Sequence, residues 1–527
     1  MKWPFFNKKS YYPADNYSKE YIEEVLNYTQ VSLLTKIPAI FELLLTSSPE
    51  LKMRAAQVLY KCVSTLNVLE LSRLDSLFRE RTSLHWSYDW KKENPESLII
   101  PNMSEDEKTV ILGLCSFHPN GYFREKALHK LAQQDTGIEL PYLLLRCNDW
   151  VQEIRKPAER YIESLITPQY LEEIVKCLPY INNIDNNKVF KKVVQLLTKK
   201  ESFPYLDKGT DSKVRSTRLA CYQMMMNLNG VNKESIMKYY RKEKEPSLRL
   251  FIFNEWTRYI TVDDFKSHYL LLKRDKSPTI RLQVLEKVNF YFPSERSKQL
   301  EAALLDKSRA MRVYARFLIT KHDTSYDFAK FYSQMITANK SAHIAILCLG
   351  EVARKEHAEL ITPYLKHHNV AIVKAAIRAL AMLDGETYKS SFAALLNCKH
   401  RDISKAATKA IATLNYEDMK EFLYTLYEDT IYDHTKNNTA LLLSSLPKWQ
   451  ALIYIIKFYV NTEDENISSL GERKLVRWIA QYNRSFVLPT KQQIETIKAL
   501  LYNHRHDLEQ QQVSAIEFCL KGIETRG

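Results

Sequence analysis

Three kinds of pattern in the chain hold residue types that could do chemistry. The thirteen histidines form three groupings: His367 and His368 with His400, His343 with His357, and His504 with His506. His368 and His400 stand 32 residues apart, but no carboxylate or cysteine joins them at ligand spacing, so no metal site is expected. Eight cysteines, Cys62, Cys115, Cys147, Cys177, Cys221, Cys348, Cys398 and Cys519, are scattered without a Cys-x-x-Cys and read as buried reduced thiols. Asp89 lies between Trp86 and Trp90, and Asp149 lies beside Trp150. The ten glycines never fall as Gly-x-Gly, and neither Gly-x-Ser-x-Gly nor His-Glu-x-x-His occurs. Phosphate cradles, nucleophile elbows and zincin sites therefore lack their raw material, and no catalytic residue and no cofactor is expected.

The elements that would position these residues emerge from self-similarity. Asp275-Lys-Ser-Pro-Thr-Ile-Arg281 overlays Asp306-Lys-Ser-Arg-Ala-Met-Arg312, and copies follow at 339–347, 369–379 and 400–410. Upstream, Asp149 and Arg155 keep the same spacing. Arg124 to Arg155 is 31 residues, Arg249 to Arg281 is 32, Arg281 to Arg312 is 31 and Lys374 to Lys405 is 31. After each basic position the apolar residues fall at helical spacing, as with Ile280, Val284, Leu285 and Val288. Two helices and two short turns fill one such period, and a hairpin of this size must stack on its neighbours to bury its apolar faces.

These segments resemble the HEAT-repeat family in its short bacterial form. The resemblance is carried by loop residues Asp149, Asp275 and Asp306, second-helix residues Arg155, Arg281 and Arg312, and the run Val373-Lys-Ala-Ala-Ile-Arg-Ala-Leu380. It covers 33–414. Ala345 in the basic position, Pro157 within a second helix, and Asn339 and Asn369 in the aspartate position depart from it. The resemblance implies an all-α fold, a right-handed superhelical α-solenoid of armadillo type, in which loop Asp and second-helix Arg pair within and between copies and stabilise the stack. Residues 1–32 read as an N-terminal arm and first helix, 83–107 as an aromatic insertion, and 415–527 as a divergent helical C-terminal cap.

Charge is uneven along the chain. Residues 151–400 hold 42 Lys and Arg against 27 Asp and Glu, and the rest hold 34 against 35. Part of that excess sits in or beside turns, at Lys199, Lys200, Arg241, Lys242, Lys244, Lys273, Arg274 and Lys276. These side chains form either a solvated face or a contact surface for an acidic protein or nucleic acid. Tyr239, Tyr240, Phe251, Phe253, Trp256, Tyr259 and Tyr269 interleave with them and are either core or stacking residues. Trp86 and Trp90 join the candidate surface from the insertion.

Solenoids of this kind offer a long surface and no closed pocket. The expected function is a non-catalytic scaffold that binds another macromolecule, a protein, through its concave face. The alternative is nucleic-acid binding along 151–400, with the HEAT-like alkylpurine DNA glycosylases as an enzymatic variant for which Asp89 or Asp149 would supply the carboxylate. Ala451 to Val460 is broken by Lys457 and is too short to span a bilayer, and Met1 to Tyr12 lacks the continuous apolar stretch of a leader. A cytoplasmic protein without membrane insertion is expected, with its oligomeric state left open.

Overall fold

The computed structural model describes residues 13–27, 33–81, 90–182, 187–227, 231–482 and 487–524. Every regular element among them is helical, with thirty α-helices and short 3-10 turns. The chain divides into two compact units, residues 1–265 and 266–527. In the first, helices pair as hairpins such as Glu105–Cys115 with Gly121–Leu131, Leu140–Arg146 with Gln152–Leu165, and Lys233–Lys242 with Pro246–Trp256. In the second, the pairs include Arg296–Leu304 with Arg309–His322, Lys389–Leu396 with Arg401–Ile411, Lys420–Asp429 with Asp433–Leu443, and Lys448–Tyr459 with Glu465–Ala480. Second helices of successive hairpins also pack on one another, Ala342–Val352 on Val370–Asp384 and that helix on Arg401–Ile411.

The local sequence explains where second helices begin. Helix Pro278–Tyr291 starts on a proline whose missing N–H costs nothing at that position. It buries Ile280, Arg281, Val284, Leu285 and Val288 on one side. Just before the helix, the Asp275 carboxylate accepts the Ser277 N–H at 2.6 Å. The same acceptor recurs along the chain, and it is not always aspartate. Asn120 donates to His118 Nδ1 at 3.0 Å, Val151 to Asp149 at 3.0 Å, Val214 to Ser212 Oγ at 3.1 Å and Glu245 to Glu243 at 2.8 Å. In the second unit Ser308 donates to Asp306 at 2.7 Å, Asn369 to His367 Nδ1 at 3.0 Å, Tyr432 to Thr430 Oγ1 at 3.2 Å and Glu463 to Asn461 Oδ1 at 3.0 Å.

Six residues after six of these nine acceptors, an arginine closes the turn from the helix side. Its Nη1 donates to the acceptor residue's carbonyl: Arg124 to His118 at 2.9 Å, Arg155 to Asp149 at 3.3 Å, Arg218 to Ser212 at 2.9 Å, Arg249 to Glu243 at 3.3 Å, Arg281 to Asp275 at 2.7 Å and Arg312 to Asp306 at 3.0 Å. Where the next turn carries an acid 25 residues on, Nε and Nη2 of the same guanidinium fork onto it. Arg281 meets Asp306 at 2.9 and 2.7 Å, Arg124 meets Asp149 at 3.2 Å twice, and Arg218 meets Glu243 at 3.0 and 3.3 Å. The carboxylate pairing thus joins one copy to the next. Arg155 touches only the carbonyl of Asp149, and Tyr180 stands where its forward acid would be.

Small residues set the closest helix contact. Ala375, Ala376 and Ala379 line helix Val370–Asp384, and a Cβ added at Gly350 would lie 2.5 Å from Ala379 Cα. At Ser341 the turn adopts left-handed backbone, φ 49°, and Asn339 does so at φ 51°. That irregular turn takes the place of the aspartate turn in the copy where Ala345 replaces arginine.

Arg281 and Asp306 are almost fully buried, with side chains 5% and 16% exposed. Removing one partner strands the other's charge, so Arg281→Met lowers unfolding free energy by about 3–5 kcal/mol. The double variant Arg281→Met/Asp306→Asn loses less than the two single variants together. Calorimetry of the three proteins checks this; additive losses would refute the interlock. Gly350→Val, which drives a side chain into the Ala379 backbone, costs about 1–3 kcal/mol in the same assay.

Candidate binding site

The residues picked out by sequence go to several places. Trp86 and Asp89 lie outside the described residues. Trp90 is a correction: it is 2% exposed, with its ring 4.1 Å from His118 and 4.8 Å from Phe123. The indole fills space beside the turn that Arg124 closes, so it belongs to the core and not to a contact surface. Tyr239, Tyr240, Phe253 and Trp256 are likewise buried, whereas Tyr259 is exposed.

Lys199, Lys200, Arg241 and Lys244 in the first unit are exposed. Lys242 is paired with Asp211 at 2.6 Å and bonds Thr210 Oγ1 at 3.3 Å, so its charge is already answered. Arg241 and Lys242 occupy the last turn of helix Lys233–Lys242, where cations complement the helix dipole. In the second unit Arg274 and Lys276 are exposed, and Lys273 lies half-buried over the Tyr269 ring at 4.8 Å.

Asp149 has no oxygen to spare for catalysis. Arg124 and Arg146 hold both carboxylate oxygens, the latter at 2.9 Å, and the Val151 N–H adds a fourth bond. Arg146 also pairs with Asp75, and Arg79 stands 3.6 Å from Asp149. Burial pushes the Asp149 carboxyl up, but Arg146, the Val151 N–H and Arg124 outweigh it and hold it below the ordinary aspartate range. Trp150 is 73% exposed and lies 5.9 Å from the Arg124 guanidinium. Among the described residues no three His, Cys, Asp or Glu side chains come together as a metal site. His367 stacks on His368 at 4.2 Å, while His504 pairs with Asp507 at 3.1 Å.

Sequence reading missed a groove in the second unit, a cavity of about 800 Å³ across three consecutive second helices. Arg401 and Lys405 come from helix Arg401–Ile411, Asp433 and Asn437 from Asp433–Leu443, and Ser469 and Arg473 from Glu465–Ala480. Lys405, Asn437 and Ser469 follow one another at 32-residue steps, as do Arg401 and Asp433. They are the same helical position in successive copies. The repeat step was the available signal, but it falls on Asn and Ser, where a search for charge or aromatics does not look.

The groove's framework is internally bonded. His434 bonds the Cys398 carbonyl at 2.9 Å, Asn438 donates to Ser404 Oγ at 2.8 Å, and Asn437 donates to the Asp433 carbonyl at 2.9 Å. Asp402, next to Arg401 in the chain, is bonded by Lys374 at 2.6 Å. The Lys374 hydrogen bond and charge hold that carboxyl below its ordinary value, with Lys405 and Arg401 adding to the effect.

Units built from stacked helical hairpins, tied at the turns by a recurring arginine, define a helical-repeat protein. Residues 338–412 match the family model of HEAT repeats. Similar solved structures include Kap95p from a complex with RanGDP, 10% identical over 93% of this chain and 67% of that one, with a TM-score of 0.31. The Schizosaccharomyces pombe condensin Cnd3-Cnd2 subcomplex is 13% identical over 96% and 82%, with a TM-score of 0.32. The karyopherin Kap121p bound to the SUMO protease Ulp1p is 12% identical over 96% and 53%, with a TM-score of 0.23. No curated protein matches the sequence.

The Asp149 network makes stability depend on pH in one direction. A carboxyl held low in the folded state stabilises above its unfolded value, about 3.9, and that contribution fades as pH falls through the lower folded value. Asp149→Asn is therefore most damaging near neutrality, and the gap between the two melting temperatures narrows below about pH 4. A gap that stays constant between pH 3 and pH 7 would contradict the assignment.

Proposed function

We propose that this chain is a non-catalytic, cytoplasmic scaffold that binds another protein through the face its second helices line. That face is concave in a stack of helical hairpins. The observation that carries the reading is the groove across helices Arg401–Ile411, Asp433–Leu443 and Glu465–Ala480, which is open and repetitive rather than converging on a reacting atom. The buried arginines are spent on turns, and the candidate carboxylate Asp149 is spent on arginines, which leaves recognition as the use of the exposed polar groups. Supporting the compartment, the cysteines are free thiols, and burial pushes Cys147 and Cys221 up to about 12 and Cys348 to about 11. No helix among the described residues is long and apolar enough to cross a membrane.

Nucleic-acid binding is the second reading, favoured by the exposed cations Lys199, Lys200, Arg241 and Lys244, which have no acidic partner among the described residues. Phosphate contacts of this kind give an affinity that falls steeply with salt and ignores sequence.

The two readings separate in one pair of measurements. Tagged protein, purified at 150 mM salt after nuclease treatment from the cells that encode it, retains a stoichiometric protein partner under the scaffold reading. Fluorescence anisotropy with labelled duplex DNA, single-stranded DNA and RNA between 50 and 300 mM salt then shows no binding that Lys199→Glu/Lys200→Glu/Arg241→Glu/Lys244→Glu abolishes. Salt-steep binding that this variant abolishes, with no protein retained, would replace the scaffold by the nucleic-acid reading.

A further inference from the structure

The groove in the second unit also carries information about what would lie in it, and this inference rests on the scaffold reading. Its charge comes first. Arg401 and Lys405 at one side and Arg473 at the other are exposed, and none makes an ion pair or side-chain hydrogen bond among the described residues. Asp433 alone opposes them within the groove. Three cations against one carboxylate favour an anionic occupant. Asp402, on the same helix as Arg401 and Lys405, is bonded to Lys374 and is shared among three cations.

Chemistry narrows the occupant. Between the cations lie amides and a hydroxyl, Asn437, Asn466 and Ser469. An amide side chain offers both a donor and an acceptor, the complement of a peptide group. A nucleic acid would want aromatic faces to stack its bases. The only ring in the groove is that of His434, which is stacked on Tyr432 at 5.4 Å and bonded to the Cys398 carbonyl. Asp433 would repel a continuous phosphate backbone, yet it can accept N–H groups from a peptide.

Geometry gives the conformation. Equivalent positions on packed helices lie about 8–10 Å apart, and helix Arg401–Ile411 packs on Asp433–Leu443, so two such steps, from Lys405 over Asn437 to Ser469, make a track on the order of 20 Å. An extended or polyproline-type chain rises about 3.1–3.4 Å per residue. Three of its residues span one helix step, and about six span the track. A bundled helix or a globular tip would not follow that step, whereas an extended strand meets equivalent side chains at every third residue.

We infer that this groove is a docking site for an acidic, extended segment of another protein, with carboxylates far enough apart to reach Arg401 and Lys405 at one side and Arg473 at the other, and with its backbone held by Asn437, Asn466 and Ser469.

The test uses the full chain and fluorescence anisotropy at 100 mM salt. Probes are a fluorescein-labelled nine-residue peptide with glutamates at positions two, five and eight, the same composition with the glutamates adjacent, the spaced peptide with lysines instead, and a nine-nucleotide oligo-dT. The spaced glutamate peptide is expected to bind at least tenfold more tightly than the lysine peptide and several-fold more tightly than the clustered one. Arg401→Gln/Lys405→Gln/Arg473→Gln abolishes that preference, whereas Lys199→Gln/Lys200→Gln leaves it intact. All five positions are exposed, so circular dichroism and melting temperature of both variants match the parent. No saturable binding of the spaced peptide up to 1 mM, equal loss in both variants, equal affinity for the clustered peptide, or tighter binding of oligo-dT at the groove overturns the inference. The groove variant is also carried through the partner purification. A partner retained by parent and variant alike overturns the groove and leaves the scaffold standing; a parent that retains no partner overturns the scaffold itself.

Discussion

The fold depends on a single guanidinium doing two things at once. Taking an arginine out of water costs several kcal/mol unless its N–H groups find acceptors. In Arg281 the acceptors are all in place: Nη1 lies between the carbonyls of Asp275 and Lys276, and the other edge of the fork meets both oxygens of Asp306. The carbonyls belong to the arginine's own turn and the carboxylate to the next turn. The Asp306 carboxylate is also the acceptor that starts the following helix. Charge, turn closure and helix start are thus coupled, and stacking hairpins become neighbours in one orientation instead of merely sharing apolar faces.

Much of this was legible because the coupling requires particular atoms at particular spacings. Asp275, Arg281, Asp306 and Arg312 announced the period and the all-α class. What the turn requires, however, is an acceptor, and His118, Ser212, Glu243, His367, Thr430 and Asn461 satisfy it as well as aspartate does. A search for Asp alone does not find those copies. Two basic residues stand close together after Ser212, and it is Arg218 that closes the turn, while Arg215 reaches Ser247 Oγ at 2.9 Å. Trp90 was misread because an aromatic residue in an irregular stretch has the same letter whether it fills the core or faces water. The same acceptor device at Thr430 and Asn461 extends the pattern past residue 414, where the sequence alone shows only irregular helices.

The basic excess also resolves into unlike parts. Arg124, Arg281 and Arg312 are buried against their turns, and they add little to any outward field. Arg312, where the forward acid is missing, instead shares Glu351 with Arg309 and Arg316. Lys242 and Lys374 are balanced by nearby aspartates. The cations left to act on a partner are fewer than the count suggests, and those at Arg401, Lys405 and Arg473 stand on second helices among polar side chains rather than in the turns.

The arginine bond is also a ruler. It reaches six residues back and twenty-five forward, which together make one period, and wherever the fork is closed the interval between acceptors is 31: His118 to Asp149, Ser212 to Glu243, Asp275 to Asp306. Where it is open the count drifts, to 63 residues from Asp149 to Ser212 and 61 from Asp306 to His367. Lineages of this chain can then gain or lose whole copies with closed forks without disturbing either neighbour, because each such copy presents an arginine donor and an acid acceptor at the same two positions. Single-residue insertions are confined to the open stretches, and those are where descendants of one ancestral array would first differ in length.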